Sequence, residues 1–393
     1  MRLSKSGPIF PKMVELRRTF HRHPELAFEE VNTARVIMEE LDRLSIPHQY
    51  GGKGGAVIGR LEAGNERDPT VALRAEMDAL PATEKTGLPF ASEIPGKMHA
   101  CGHDGHMAMV LGAASLLREN PPGGNVLFVF QPAEERGGGA RVVLESGALS
   151  DVRAIFAGHV THHYRVGEIM VSPGVVTAQS DRFVIKIKGK GGHGARPHEA
   201  IDAIVITGML ITSVQTLVSR EINPLYPSVI TIGRIEAGSA PNVIAEEAVL
   251  EGTIRTTLPD VRDHIHEGIK RMARAMESCH NAVIDVEIRS GYPPVVNTLR
   301  ESEIASRAVE LVVDKSGLVP MEYPSMGSED FAYYLQEIPG CYVRFGARIK
   351  EAEYVPLHSP LFDIDESVLR VGAEYFDQVI RQAIEEYSDS GTQ

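Results

Sequence analysis

Hydrophobic positions divide the first part of the chain into helical stretches and short buried runs. Between residues 11 and 44 the apolar residues recur at helical spacing, and a break at His23-Pro24 predicts two helices. Short apolar runs at 56–61, 70–74, 125–130 and 152–157 are typical of buried strands, with a helical stretch at 107–117 between two of them. This alternation predicts an α/β fold with a mixed, mostly parallel sheet flanked by helices.

A different pattern occupies residues 181–292. Segments 183–188 and 283–289 alternate between apolar and polar residues, segments 228–236 and 248–258 indicate two further strands, and 200–218 and 259–278 are helical. The order β-α-β-β-α-β is that of a ferredoxin-like antiparallel sheet with two helices on one face. After Val295 the chain again shows the pattern of buried strands and helices seen in its first part. We therefore expect a larger domain at 1–180 and 293–393 that is interrupted by a smaller one at 181–292.

Composition narrows the class of protein. The net charge of −13 argues against a nucleic-acid partner. Three scattered cysteines are too few for a disulfide framework, so a reducing, cytoplasmic location is expected. The N-terminal residues lack the apolar run of a signal peptide, and the longest apolar run, near 203–211, is far too short to span a membrane.

The segment 98–106 contains one cysteine, three histidines and one aspartate. Thiolate and imidazole are ligands that borderline-soft divalent metals prefer. Cys101 and His103 are two residues apart and cannot share a helix face, which predicts a loop, with Asp104 as the N-cap of the helix that follows. The alternative is a buried cysteine beside surface histidines, but the density of donor groups favours a metal site.

Acidic residues follow two of the predicted strands. Glu134 and Glu135 come after the strand 126–130, and neighbouring residues of an extended chain point in opposite directions. One carboxylate could therefore bind a metal while the other faces a metal-bound water; a solvated acidic turn is the alternative. Asp78 follows the strand 71–74 and is either a turn-forming residue or a residue that orients a metal-bound histidine.

Further histidines lie where α/β sheets gather functional groups. His159 ends an apolar strand, with His162 and His163 close behind it, and His358 lies in a proline-bounded loop. Each of them is also compatible with an ordinary surface histidine.

The smaller domain contains three polar candidates. His193 lies in the glycine-rich segment 189–194, which matches the dinucleotide fingerprint in its letters but lacks the flanking strand, helix and acidic residue. A loop that presents His193 to a ligand is therefore the better interpretation. Asn242 and Arg255 are further polar candidates, and Arg255 is either a clamp for a carboxylate or an exposed strand-end arginine.

The chain resembles the amidohydrolase branch of the aminoacylase–carboxypeptidase metallopeptidase family, which includes hippurate hydrolases and auxin-conjugate hydrolases. The resemblance covers essentially the whole length, with matching motifs in the family's order at 18–30, 74–81, 98–106, 131–135, 191–198, 242–244, 252–256, 327–331 and 357–360. It implies a catalytic domain at 1–180 and 293–393 with two divalent ions, and a lid at 181–292 that also forms a homodimer.

Carried onto this chain, the resemblance implies roles for nine residues. The metal ligands would be Cys101, His103, Glu135, His159 and His358. Glu134 would be the general base, and the lid residues that hold the scissile carbonyl or the substrate carboxylate, some of them across the dimer, would be His193, Asn242 and Arg255.

The sequence departs from the family pattern at two places near these residues. Glu76 stands where the family usually has an aspartate. The aromatic-proline pair that usually follows the strand histidine is replaced by Val160 to His163, which leaves the acyl-group preference open and makes His162 an alternative ligand.

These residues support hydrolysis of an amide bond, with Mn²⁺, Zn²⁺, Co²⁺ or Ni²⁺ as candidate metals, and the resemblance implies N-acyl-amino acids as the substrates. A dipeptidase or exopeptidase of the same family and a non-catalytic metal-binding protein are the competing hypotheses. A free amino group would need an acidic partner, and no motif clearly supplies one. Loss of catalysis would be indicated by a missing Glu134 or His193, and both are present.

Overall fold

The computed structural model describes residues 7–65, 67–349 and 353–389. Residues 1–6, which form part of the N-terminal segment considered above, lie outside that range. The chain divides into two compact units. Unit 1 comprises Met1–Val176, Val296–Glu322 and Asp330–Gln393, and unit 2 comprises Thr177–Val295 and Tyr323–Glu329.

Unit 1 contains strands and helices from both ends of the chain, numbered here along the whole sequence. Its helices are α1 (Phe10–Arg22), α2 (Val31–Arg43), α3 (His103–Glu119), α4 (Glu134–Gly137), α5 (Gly139–Glu145), α8 (Leu299–Val313), α9 (Phe331–Leu335) and α10 (Val368–Asp389). Its strands are β1 (His48–Tyr50), β2 (Val57–Leu61), β3 (Thr70–Glu76), β4 (Asn125–Gln131), β5 (Val152–Arg165), β6 (Ile169–Met170), β7 (Gly174–Val175), β14 (Val296–Asn297), β15 (Leu318–Val319) and β16 (Gly340–Arg348).

Within the described chain, eight of these strands form one sheet in the order β1-β2-β4-β3-β5-β16-β6-β15. The central pairs β4–β3, β3–β5 and β5–β16 are parallel, whereas β1–β2, β2–β4 and β16–β6 are antiparallel. Every residue of β3 and β4 is buried, as expected of strands that helices cover on both faces. The predicted fold class, a mixed and mostly parallel sheet flanked by helices, is confirmed.

The parallel strands also define where functional groups gather. The carboxyl end of β3 leads to Asp78, that of β4 leads to Glu134 and Glu135, and His159 lies in the second half of β5. Ligands of α/β sheets bind outside the carboxyl ends of the strands.

Unit 2 has the smaller antiparallel architecture. Its elements are β8 (Gln179–Lys188), β9 (Gly192–His193), α6 (Ala203–Thr216), β10 (Ser228–Ala237), β11 (Val243–Ile244), β12 (Glu247–Thr256), α7 (Pro259–His280) and β13 (Val283–Ser290). The main sheet has the order β10-β12-β8-β13 and is antiparallel throughout. Alternate residues of β8 are buried because α6 and α7 cover one face of this sheet only.

Seven residues join unit 2 from a distant part of the sequence. Residues 323–329 lie within the range predicted for the larger domain, but Thr177 forms a bridge with Ser325, and Arg255 donates to the Ser328 hydroxyl. These contacts attach the segment to unit 2.

One helical stretch, Ala203–Glu221, is long and apolar enough to cross a membrane if only length and composition are considered. One third of it is buried in unit 2. Its exposed apolar side chains include Ile204, Val205 and Met209.

Candidate metal centre

The backbone holds the cysteine loop in place. Met98 exchanges two hydrogen bonds with Leu80, each 3.0 Å long, and Gly102 is left-handed with φ of 90°. A β-carbon at Gly102 would lie 2.4 Å from a methyl carbon of Val160, so this turn requires glycine. Cys101 therefore lies in the short irregular stretch between the Met98 bridge and the start of α3, and its side chain is buried.

The prediction that Asp104 caps this helix is wrong, as is the prediction of a loop at His103. Helix α3 begins at His103, and its N-cap position is Gly102. The Asp104 carboxylate instead accepts hydrogen bonds from Arg17 Nε at 3.0 Å and from His21 Nδ1 at 2.9 Å. The Asp104 carboxylate binds these donors on α1 and not the backbone N–H groups of α3, because charge-assisted hydrogen bonds are stronger than neutral ones.

The structure brings the five predicted ligand residues into one cluster. The Cys101 sulfur lies 3.3 Å from His159 Nε2 and 3.4 Å from His358 Nε2, and His358 Nε2 lies 3.2 Å from Glu135 Oε1. Donor atoms within 4.8 Å of one another form the triads Cys101–His103–His159 and Cys101–Glu135–His358. Because the two triads share Cys101, the cluster presents two adjacent sets of donors, an arrangement suited to two ions.

Glu134 belongs to the same cluster. It forms a third group of donors with His103 and Glu135, again within 4.8 Å, and it is buried. The two glutamates begin helix α4 and are not in extended chain, so the expectation that they point in opposite directions along a strand does not hold. Ala133, just before them, has φ of 53°, and this left-handed residue turns the chain sharply after β4.

Two histidines of the cluster are fixed in one tautomer. His103 Nδ1 donates to the carbonyl oxygen of Asp78 at 2.8 Å, and His159 Nδ1 donates to that of Val160 at 2.7 Å. Since a carbonyl can only accept, Nδ1 is protonated in both rings, and in the neutral form of each ring Nε2 keeps the lone pair that a metal would use. Within the described chain the buried His103 Nε2 has no hydrogen-bond partner. This orphaned acceptor fits a metal ligand.

The charges of the cluster also fit a bound cation. Burial and the two neighbouring glutamates raise the pKa of the Cys101 thiol well above its ordinary value. Burial disfavours a charged His103, but the hydrogen bond to Asp78 and the charge of Glu76 outweigh it and raise the pKa of His103 to about 10. Both shifts reflect excess negative charge in a buried site, and a divalent cation there would neutralise it and favour the thiolate.

Asp78 contacts two of the candidate ligands in different ways. Its carboxylate Oδ2 accepts the backbone N–H of Glu135 at 2.9 Å, whereas its carbonyl oxygen accepts from His103. The second carboxylate oxygen lies 3.4 Å from His103 Nδ1. Asp78 thus fixes one histidine ring and the start of α4.

His106 and Glu76 lie close to the cluster but use their polar atoms elsewhere. His106 Nδ1 donates to Glu76 Oε2 at 2.9 Å, and its Nε2 accepts the N–H of Val160 at 3.0 Å. The other Glu76 oxygen is paired with Arg74. The sequence reasoning missed this support, although His106 lies three residues after His103 and therefore on the same helix face.

His162, the alternative ligand, is directed to another part of unit 1. Its Nε2 donates to the carbonyl oxygen of Asp363 at 2.7 Å, and its ring stacks on Phe362 with centroids 5.0 Å apart. Among the described residues, the groups of potential ligands contain His159 and not His162.

In unit 2, His193 and Asn242 are brought together by a two-stranded ribbon. β9 pairs with β11 so that His193 lies opposite Val243, and Gly194 donates to the carbonyl oxygen of Asn242 at 2.9 Å. His193 Nδ1 accepts the N–H of Ala195 at 3.0 Å, so the proton of the ring is on Nε2. Both His193 and Asn242 are exposed. The glycine-rich segment does not lead directly into a helix.

Arg255 lies on the main sheet of unit 2. Its guanidinium donates to the Ser328 hydroxyl at 2.9 Å and, more weakly, to the carbonyl oxygen of Met326 at 3.4 Å. Burial and the charge of Arg182 lower the pKa of Arg255 below its ordinary value. Ser328 was not among the predicted site residues, although it lies within the motif at 327–331.

The site and fold are those of a known enzyme family. Residues 72–382 match peptidase family M20/M25/M40, and the chain belongs to this family. The chain is a metal-dependent amidohydrolase, which confirms the predicted family and enzyme class.

Individual relatives are similar over nearly the whole chain. Identity is 40% over 380 residues with IAA-amino acid hydrolase ILR1-like 4 of Arabidopsis thaliana, covering 94% of this chain and 85% of that protein. Identity is 39% over 375 residues with N-acetylcysteine deacetylase of Bacillus subtilis, covering 94% and 96%. The solved YXEP protein of Bacillus subtilis, a dinuclear metal binding peptidase from the M20 family, has a TM-score of 0.83 and 36% identity, covering 96% of this chain and 99% of that one.

Proposed function

We propose that the protein hydrolyses the amide bond of N-acyl-amino acids and releases a free amino acid and a carboxylic acid. The observation that carries this proposal is the pair of donor triads that share Cys101, with Glu134 beside them. Two relatives of the chain are named for an amide hydrolysis of this kind.

Two divalent ions are part of the proposal. Cys101, His103, Glu135, His159 and His358 are the residues that would hold them, and Asp78 would orient His103 and Glu135. When bound, such ions supply Lewis acidity and a water whose pKa falls from about 15.7 to near 7. Mn²⁺, Zn²⁺, Co²⁺ and Ni²⁺ all accept these ligands, so the metal is a matter for experiment.

Glu134 is assigned the proton transfers. Its carboxylate lies beside the candidate metal ligands, within 4.8 Å of donor atoms of His103 and Glu135, and would face a nucleophilic water. It would accept the proton of that water and deliver it to the nitrogen of the leaving amine. Burial keeps the carboxylate away from bulk water, which would otherwise compete for this proton.

The lid residues are assigned to the substrate on the basis of the family resemblance. His193 would donate from Nε2 to the carbonyl oxygen as negative charge develops there. Asn242, on the same ribbon, would hold the substrate from its amide. Arg255 would bind the substrate carboxylate, a role suited to a partly buried guanidinium whose hydrogen bonds go to a hydroxyl and a carbonyl oxygen.

A homodimer through unit 2 completes the proposal. β10 is an edge strand with exposed Val229 and Ile235, and α6 exposes Val205 and Met209. An edge strand beside an apolar helix face favours pairing with a second copy. Sedimentation should give a dimer at micromolar concentration, and Met209→Lys should shift it toward monomer. A wild-type monomer would contradict this part of the proposal.

We also retain a cytoplasmic location as an expectation from the cysteine content.

The decisive experiment is hydrolysis by metal-stripped protein that is reloaded with each divalent ion in turn. Substrates should include N-acetyl, N-benzoyl and longer N-acyl-amino acids, with unblocked dipeptides as the matched control. Metal-restored release of amino acid from the blocked substrates alone would support the proposal. Release from the dipeptides alone would replace it with a dipeptidase, and no release despite stoichiometric metal binding would contradict it.

A further inference from the structure

Glu30 is a buried acid that the proposed chemistry does not use. It lies between α1 and α2, and only 2% of its surface is exposed. Its Oε1 accepts the backbone N–H of Ala133 at 2.8 Å, across 103 residues of sequence. In the described part of the chain its Oε2 is buried and has no hydrogen-bond partner.

The helix next to Glu30 does not explain this burial. Glu30 occupies the N-cap position of α2, but its side chain makes no capping hydrogen bond. The Glu25 carboxylate does that instead, because it accepts the N–H groups of Asn32 at 3.1 Å and Thr33 at 2.8 Å. The Glu30 side chain is therefore available for the turn after β4.

That turn determines where Glu134 points. Ala133 is left-handed, a conformation that needs support in a residue other than glycine. Its carbonyl oxygen accepts the N–H of Gly139 at 3.2 Å, and its own N–H is held by Glu30. Both peptide groups around this strained residue are thus anchored, immediately before the carboxylate assigned to proton transfer.

We propose that Glu30 is a positioning residue that fixes the Ala133 peptide and thereby aims the Glu134 carboxylate. This inference rests on the proposed function, because it takes Glu134 as the general base. Asp78 anchors the first turn of α4 through the N–H of Glu135. The two acids therefore have different roles: Glu30 orients the proton-transfer residue Glu134, and Asp78 orients the candidate metal ligand Glu135.

Protonation of Glu30 is compatible with this role. Burial raises the pKa of Glu30 to about 7, with the Asp78 charge adding to the effect and backbone N–H groups opposing it. The carbonyl oxygen of a neutral carboxyl group accepts the Ala133 N–H as a carboxylate oxygen does. A glutamine should therefore replace Glu30 in this role, whereas an apolar residue of the same length should not.

The test compares Glu30→Met with Glu30→Gln in the metal-loaded enzyme, with Glu29→Gln as the matched control. Methionine keeps the volume and suits a buried site but removes the acceptor, and Glu29 is an exposed neighbour paired with Lys97 at 2.8 Å. Glu30→Met should lower kcat about 10- to 100-fold with KM and metal content nearly unchanged, because small displacements of a reacting group have effects of this size. Glu30→Gln and Glu29→Gln should keep kcat within about threefold of wild type.

Amide hydrogen exchange at Ala133 provides a readout that does not depend on activity. Exchange should accelerate in Glu30→Met and stay slow in the two glutamine variants. Loss of protection with kcat unchanged would overturn the proposal, as would Glu30→Gln being impaired as much as Glu30→Met. If the wild type released no amino acid at all, the proposed function would fail, while the exchange data would still decide whether Glu30 holds the turn.

Discussion

The candidate residues of unit 1 and those of unit 2 are held in different ways. In unit 1, His103 and His159 are buried, and a carbonyl oxygen fixes the proton of each ring. In unit 2, His193 and Asn242 are exposed on a ribbon of two short strands. A metal requires donors fixed in advance, whereas residues that meet a substrate must remain accessible. The difference fits the proposed roles, which are ion binding in unit 1 and contact with the substrate in unit 2.

The first prediction concerns the largest effect in unit 1. Glu134→Gln should lower kcat by about 10²–10⁴-fold, because glutamine cannot transfer the proton, while both ions remain bound. Turnover and metal content should be measured on the same preparation. Glu135→Gln is the matched control and should reduce metal content. Near-normal turnover in Glu134→Gln with full metal content would refute the assignment of the base.

The second prediction tests unit 2 in the same assay. His193→Ala should lower kcat by about 10²–10³-fold, the usual effect of removing one donor to a developing oxyanion. Metal content should not change, since no described group of potential ligands contains His193. His198→Ala changes an exposed histidine of the same motif at 191–198 and should have almost no effect on kcat. Metal loss in His193→Ala would contradict the separation of roles between the two units.

The third prediction concerns His21, a buried histidine whose hydrogen bond to Asp104 connects α1 with the start of α3. Burial disfavours a charged His21, but hydrogen bonds to Asp104 and Glu84 outweigh it and raise the pKa of His21 to about 9. Because the pKa of His21 is higher in the folded state, its protonated form stabilises the folded protein. This stabilisation is complete below pH ~6.5 and is lost as the pH rises through about 9. The free energy of unfolding should therefore fall by up to about 3 kcal/mol over that interval.

This pH dependence should be measured by denaturant unfolding of the metal-free protein. His21→Gln should remove most of it, and His23→Gln, which alters an exposed histidine at the end of the same helix, should not. An unchanged slope in His21→Gln would show that the charge of this ring does not stabilise the loop.

The sequence predicted the architecture more fully than the contacts within it. Alternation in β8 and continuous apolar runs in β3 and β4 identify one-sided and two-sided burial, so the fold class followed from pattern alone. The role of Asp104 did not, because its competing donors, Arg17 and His21, lie more than 80 residues away in sequence.

The candidate site shows the same limit. Donor types and motifs led to the cluster, but the tautomers depend on which carbonyl oxygens meet each ring in the fold. Glu30 lies within a recognised motif, yet nothing local pairs it with the N–H of Ala133. Ser328 was missed for the same reason, since its contact with Arg255 joins segments 73 residues apart.

The smallest effect is expected in unit 2, where Asp181 on β8 binds Arg262 and His266 on α7. Burial raises the pKa of Asp181, but hydrogen bonds from His266, Arg262 and the N–H of Gly291 outweigh it and lower the pKa to about 2. A lowered pKa in the folded state stabilises the protein above pH ~4, and the stabilisation is lost as the pH falls through about 2. Asp181→Asn should therefore cost about 1–2 kcal/mol at pH 7, allowing for solvent around its partners, and much less near pH 2. Asp285→Asn, at an exposed position of β13, is the control, and chemical unfolding at both pH values is the measurement. A penalty for Asp181→Asn that does not change with pH would show that packing, and not charge, holds α7 to the sheet.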